Sequence, residues 1–146
     1  MNPTASILII GNEILSGRTQ DKNLHWLAGE LAKIGIKTVE AVVVPDIEAE
    51  IIATLHRLRQ KTTYVFTSGG IGPTHDDITS ATVAKAFGVM LERNAEAAER
   101  LYAHYGTREL SEARMKMAEI PYGATLIENP VSGAPGFCLE NVYVMA

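Results

Sequence analysis

The sequence predicts an α/β protein, a three-layer α/β/α sandwich built on a mostly parallel sheet. Three observations carry that prediction. Short β-rich apolar runs stand at 6–10, 36–44 and 63–66. The segments between and after them repeat their apolar residues at helical spacing. Strand and helix therefore alternate, which calls for right-handed crossovers and helices on both faces of one sheet. The 146 residues, 47% hydrophobic and 21% charged, suit a single domain with its own core.

Each element has a local cause. Ser6-Ile7-Leu8-Ile9-Ile10 is unbroken and ends at Gly11, the pattern of a strand buried on both faces. A loop at 11–20 leads into a helix over 21–35, with Leu24, Leu27, Leu31 and Ile34 on one stripe and Gly35 as its stop. The run 36–44 is the second strand, ended by Pro45-Asp46. Ile47, Ile51, Leu55 and Leu58 then mark a second amphipathic helix. After the third strand, 63–66, a turn at 67–77 precedes a helix over 78–87 that Gly88 ends. Further helices are expected near 94–105 and 111–119, and short strands within 125–146. The loops 11–20, 45–46 and 67–77 must then share the carboxyl edge of the sheet, where open α/β sheets bind ligands.

Composition narrows the function. A net charge of −4 with scattered Lys and Arg argues against a nucleic-acid partner. The single cysteine, Cys138, rules out an intramolecular disulfide framework and a Cys-rich zinc site. No apolar run approaches the ~20 residues needed to span a bilayer, so no membrane partner is expected. The first residues lack a basic segment and a small-residue cleavage site, and a cytoplasmic location is expected. The last six residues, Asn141 to Ala146, read as an apolar strand cut inside a core element.

The chemistry concentrates in the loops. Gly11-Asn12-Glu13-Ile14-Leu15-Ser16-Gly17-Arg18 comes near a phosphate-cradling P-loop, but five residues separate its glycines and Arg stands where Lys is needed. A flexible loop explains the glycines alone; Asn12, Glu13, Ser16 and Arg18 make a polar set at the mouth of a buried strand. Gly70-Ile71-Gly72 lacks the third glycine of a dinucleotide fingerprint. Asp46 reads first as the cap of the helix that follows it.

Thr67-Ser68-Gly69-Gly70-Ile71-Gly72-Pro73-Thr74-His75-Asp76-Asp77 is the most specific stretch. Its glycines permit positive φ and close backbone approach, and its hydroxyls and the helix start beyond suit an anion. Two acids in such a turn would repel a bare phosphate. A Mg²⁺ could bridge them to it, or one acid could cap the helix while the other accepts bonds from the ligand. Alternatively an acid could polarise a nucleophile. Asp76 is expected to cap. The four histidines show no metal-ligand spacing. Asn129-Pro130-Val131-Ser132-Gly133-Ala134-Pro135-Gly136 is a third polar segment, a surface loop or a ligand-facing wall.

Together these motifs resemble the molybdopterin-binding domain family. It includes MogA and MoaB, the central domain of MoeA and the amino-terminal domain of competence/damage-inducible protein A (CinA). Gly11-Asn12-Glu13, Gly17, Asn23, the 69–77 turn, Asn129-Pro130 and Ala134-Pro135-Gly136 occur in the order of the CinA branch. Lys22 and Ser132-Gly133 depart from its usual pattern. The resemblance implies an α/β/α sandwich that binds molybdopterin or a related pterin or nucleotide bearing phosphate. It implies ligand contacts from Gly11, Asn12, Glu13, Ser68, Gly69, Gly70, Gly72, Pro73, Thr74, Asp76, Ser132, Ala134, Pro135 and Gly136. Asp46 and Asp77 fall at the positions of the functional aspartates of adenylyl-transferring members. Relatives assemble as dimers, trimers or larger, so a homo-oligomer is expected. Three readings follow: a pterin-binding protein of molybdenum-cofactor metabolism that could adenylylate its ligand, a hydrolase of nucleotide pyrophosphates such as ADP-ribose, and a binding module without turnover. The resemblance covers the amino-terminal domain of CinA and not its carboxyl-terminal amidase domain, so it does not imply deamidation of nicotinamide nucleotides.

Overall fold

A computed structural model describes residues 2–131 and 133–146. Strand β1 (Thr4–Ile10) lies between β2 (Lys37–Val44) and β3 (Tyr64–Ser68), parallel to both. The loop between β1 and β2 holds two helices, a four-residue α1 (Asn12–Leu15) and α2 (Asn23–Lys33). Helix α3 (Glu48–Lys61) crosses from β2 to β3, and α4 (Thr79–Phe87) follows the 67–77 turn. Gly88, at φ 69°, ends α4 in the left-handed conformation expected of a glycine stop.

The second half is less regular. A short strand β4 (Leu91–Arg93) precedes α5 (Ala95–Tyr105), capped by the Asn94 side chain on Ala97 N–H. The helix expected over 111–119 is only α6 (Glu112–Met115) and a 3₁₀ turn (Lys116–Ala118), after which Glu119–Pro121 becomes strand β5. β4 and β5 pair antiparallel as a separate two-stranded sheet. Three-residue strands carry no periodicity of their own; their partners, far apart in the chain, make them. Strands β6 (Thr125–Ile127), β7 (Gly136–Leu139) and β8 (Val142–Met145) complete the main sheet, in the order β2-β1-β3-β8-β7-β6. Only β7 runs against the others. β8 lies inside the sheet, between β3 and β7, rather than at an edge.

Alternation along β1 sorts the core into two layers. Leu8 and Ile10 join Ile51, Leu55 and Leu58 of α3, Val83 of α4 and Leu101 of α5 in one fully buried cluster. Ala5, Ile7 and Ile9 face the other side of the sheet, where α2 packs on β2 and buries Leu31. The same side carries the neighbouring rings of Tyr64, Phe66 and Tyr143, the last two stacked at 5.1 Å. The carboxyl ends of β1, β2, β3 and β8 therefore meet along one edge, as the alternation of strand and helix requires.

Candidate functional site

Gly11 leaves the end of β1 with its N–H bonded to Val44 O at 3.0 Å, so the first two strand ends stay together. A Cβ on Gly11 would stand 2.5 Å from Glu13 Oε1; the missing side chain lets the Glu13 carboxylate fold back over the strand end. Asn12 and Asp46 form a reciprocal pair. Asn12 N–H donates to Asp46 Oδ2 at 3.1 Å, and Asp46 N–H donates to Asn12 Oδ1 at 3.1 Å. Two loops far apart in the chain are thereby tied, and the Asp46 side chain is oriented.

At the end of β3, Ser68 Oγ accepts from Asn23 Nδ2 at 2.6 Å, linking α2 to the turn. Gly69 has φ 98°, and a Cβ there would meet Ile10 O at 2.2 Å; no other residue fits. Gly70, at φ 78°, packs on Thr79, whose hydroxyl a Cβ would meet at 2.0 Å. Thr79 is buried and locks the turn: its Oγ1 donates to Gly69 O and its N–H to Gly70 O, each at 3.0 Å. Gly72 leaves room for Asp77 Oδ2, 2.8 Å from where its Cβ would be. That oxygen accepts from Thr74 N–H at 3.0 Å and Thr74 Oγ1 at 2.7 Å, closing a tight 74–77 turn. Lys116 Nζ donates to the carbonyls of Thr74 and Asp77 from outside it.

The acids influence one another. Asp46 is pushed above the ordinary carboxylate pKa first by partial burial, then by Glu13, Asp77 and Asp76; the Asn12 N–H pulls the other way and loses. This is the position of a group suited to share or exchange a proton, or to meet a cation brought by a ligand.

Two concavities flank the Gly69 turn. One, of about 280 Å³, is lined by Gly69, Gly70, Gly72, Pro73, Tyr105, Met117 and Ala134. The other, of about 310 Å³, includes Glu13, Lys22, Asn23, Ser68 and Gly69. Gly69 and Ala146 line both, so the two read as one groove along the strand ends. A larger cavity of about 480 Å³ lies beyond, between α5 and the 128–135 segment, with Arg100, His104, Asn129 and Pro135 in its wall. The groove is the better candidate, because glycine backbone, the Ser68 hydroxyl and the Glu13 and Asp21 carboxylates converge at it.

Residues 6–146 match the family described as a probable molybdopterin binding domain. The chain belongs to that family. Among curated relatives, a protein of Pyrobaculum calidifontis is 41% identical over 140 residues, covering 94% of this chain and 53% of that protein. A CinA-like protein of Sulfurihydrogenibium sp. is 40% identical over 135 residues, covering 91% of this chain and 34% of that protein. This chain thus spans well under two thirds of their lengths. Among solved structures, CinA of Thermoplasma acidophilum, of unknown function, superposes with a TM-score of 0.91 at 35% identity, over 98% of this chain and 87% of that one. The tungsten cofactor synthesizing protein MoaB from Pyrococcus furiosus shares the fold, with a TM-score of 0.59 at 18% identity over 98% and 81% of the two chains.

In this molybdopterin-binding-type domain several expected site residues come together. Glu13, Ser68, Gly69, Gly70, Gly72, Pro73 and Ala134 line the groove, with Gly11 beneath Glu13. Asn12, Asp46, Thr74 and Asp76 line neither part of it, and Asp77 lines a smaller concavity of about 50 Å³ with Gly72 and Lys116. Pro135 and Gly136 are buried and face the neighbouring cavities instead. Ser132 lies outside the described residues.

Three expectations are corrected. Asp76 does not cap α4: the residue before that helix is Ile78, no side chain caps it, and Asp76 is exposed, 3.3 Å from His75 Nε2. Asp46 does not cap α3 either, since Ile47 precedes that helix uncapped and the carboxylate serves Asn12. In both places a tertiary partner or solvent takes the oxygen that local capping would have used. Thr67, read as a hydroxyl donor for a ligand, is buried on the core side, and its Oγ1 has no partner among the described residues. Sequence reasoning missed Tyr105, Met117, Thr79 and Lys116. A threonine opening the helix behind a Gly-Gly turn was a readable hint for Thr79; nothing local marks the other three.

Proposed function

We propose that the groove binds molybdopterin or a related pterin or nucleotide bearing phosphate, as part of molybdenum-cofactor metabolism. The observation that carries the reading is the Gly69–Gly70 turn. Its positive φ angles and absent side chains bring bare backbone to the groove floor, with Glu13 and Asp21 in the adjoining wall. Backbone and hydroxyl donors there suit the phosphate. The carboxylates Asp46, Asp77 and Glu13 suit the N–H and O–H groups of a heterocycle. The family description supports the pterin.

Hydrolysis of a nucleotide pyrophosphate is the second reading, favoured by the raised pKa of Asp46 beside a second acid. Among the described residues no three His, Cys, Asp or Glu side chains are arranged to hold a metal. A Mg²⁺ at this edge would be held by one or two carboxylates and the ligand's own phosphates. It would neutralise the phosphate charge that the acids otherwise repel. Calorimetric titration with molybdopterin and with ADP-ribose, each with and without Mg²⁺, tests both readings. Pterin binding without turnover supports the first, and conversion of ADP-ribose the second. Binding of neither would remove the groove from consideration.

A further inference from the structure

We propose that Lys116 is a positioning residue of the groove: it holds the 74–77 turn in the shape that presents Asp77 to the ligand. The inference rests on the reading of the groove as the ligand site. Lys116 stands in the 3₁₀ turn after α6, separated by 42 residues from Thr74 and 39 from Asp77. Its ammonium donates to the main-chain carbonyls of both, the bond to Asp77 O being 2.5 Å. Three N–H donors are available to a lysine, and two of them here converge on a single turn. A surface lysine would be expected to pair with a carboxylate or with water; this one is half-buried and bonded to backbone.

The consequence for Asp77 is geometric. Drawing both carbonyls toward Lys116 turns them to one side, while Thr74 N–H and Oγ1 close on Asp77 Oδ2. The carboxylate is thereby fixed against Gly72, the residue shared by the groove and the smaller concavity of about 50 Å³ that Asp77 and Lys116 line. Lys116 also places a fixed positive charge against an edge that gathers Glu13, Asp46, Asp76 and Asp77. A salt bridge of the ordinary exposed kind would not couple to the loop in this way.

The test is a double-variant cycle read by ADP-ribose and molybdopterin titration, with backbone amide NMR of the unliganded protein. Lys116→Met is expected to weaken binding about ten- to a hundredfold, the range for losing charge-assisted bonds. Lys116→Arg should restore most of it. The Thr74 amide should shift and exchange faster in Lys116→Met, while the amides of β1 and β3 keep their positions. Because Lys116 acts through Asp77, the variant carrying both Lys116→Met and Asp77→Asn should bind no more weakly than Asp77→Asn alone. Wild-type affinity in Lys116→Met, or losses that multiply in the double variant, would overturn the proposal. If the wild-type protein binds neither ligand, the reading of the groove fails, and the Thr74 amide still decides for Lys116. An unchanged resonance then refutes the clamp; a displaced one upholds it.

Discussion

Glu40 stands in the middle of β2 and Asp46 just past its end, yet their surroundings are opposite. Glu40 lies between Arg57 and Lys61 of α3, with Arg57 gripping both its oxygens at 2.9 and 2.8 Å and Lys61 at 2.6 Å. These bonds, led by Arg57, hold its carboxyl down at about 2. Among the described residues no cation pairs with Asp46; burial and three neighbouring acids raise its pKa. The same residue chemistry is thus neutralised by two cations in the middle of β2 and left among like charges where β2 ends. Placement among like charges without a partner favours function over stability, because only a ligand or its metal resolves the crowding.

The strongest way to break this comparison is to deform the edge. Gly69→Ala adds a Cβ 2.2 Å from Ile10 O at a φ of 98°. A loss of stability of about 3 kcal/mol or more is expected, seen as a lower melting temperature, because strain and overpacking act together. Preserved stability would mean that the turn shifts easily and that the groove is not built by it.

Asp46→Asn comes next. Its amide oxygen can still accept from Asn12 N–H, so the loop should hold. Affinity for ADP-ribose or molybdopterin should fall about tenfold or more if the carboxylate meets the ligand. Tighter binding would show that Asp46 only repels phosphate.

The stability of the same variant sharpens the contrast. A carboxyl whose folded pKa is raised is protonated more readily in the folded chain. Wild-type stability therefore declines as pH rises from 3.8 through the raised value of Asp46, and the penalty is constant above it. Asp46→Asn removes this term, and denaturant titration at neutral pH should find the variant slightly more stable. Glu40 has the opposite sign. Its contribution is present above 4.5 and lost as pH falls through about 2. Glu40→Gln should produce the smallest effect: unchanged ligand affinity, with an acid-unfolding limb that no longer reports this carboxyl. Any loss of ligand affinity in Glu40→Gln would erase the distinction between the middle of the strand and its exit.

How far the sequence reached follows the range of the forces involved. Strands β1, β2 and β3 and helices α2 to α5 were legible because burial on two faces or one leaves its own periodicity. The antiparallel direction of β7, the β4–β5 pair and the place of β8 inside the sheet left no local trace. At the site, the glycines of the 69–72 turn and the acids after it announced themselves by type. The capping roles assigned to Asp46 and Asp76 were wrong because capping was judged from neighbours in the chain.

By itself the amino-acid sequence determined the alternation of strand and helix, and hence that three loops share one sheet edge. It also determined that one of them must be a glycine turn beside two acids. Those are consequences of side-chain size, polarity and backbone freedom, which act within a few residues. Only the tertiary structure decided what each acid does. It paired Asn12 with Asp46, turned Asp77 onto Thr74, brought Lys116 against the back of the turn and left Asp76 to solvent. Charge and hydrogen bonding act through space, so a carboxylate's role is set by what folding places within a few ångströms of it.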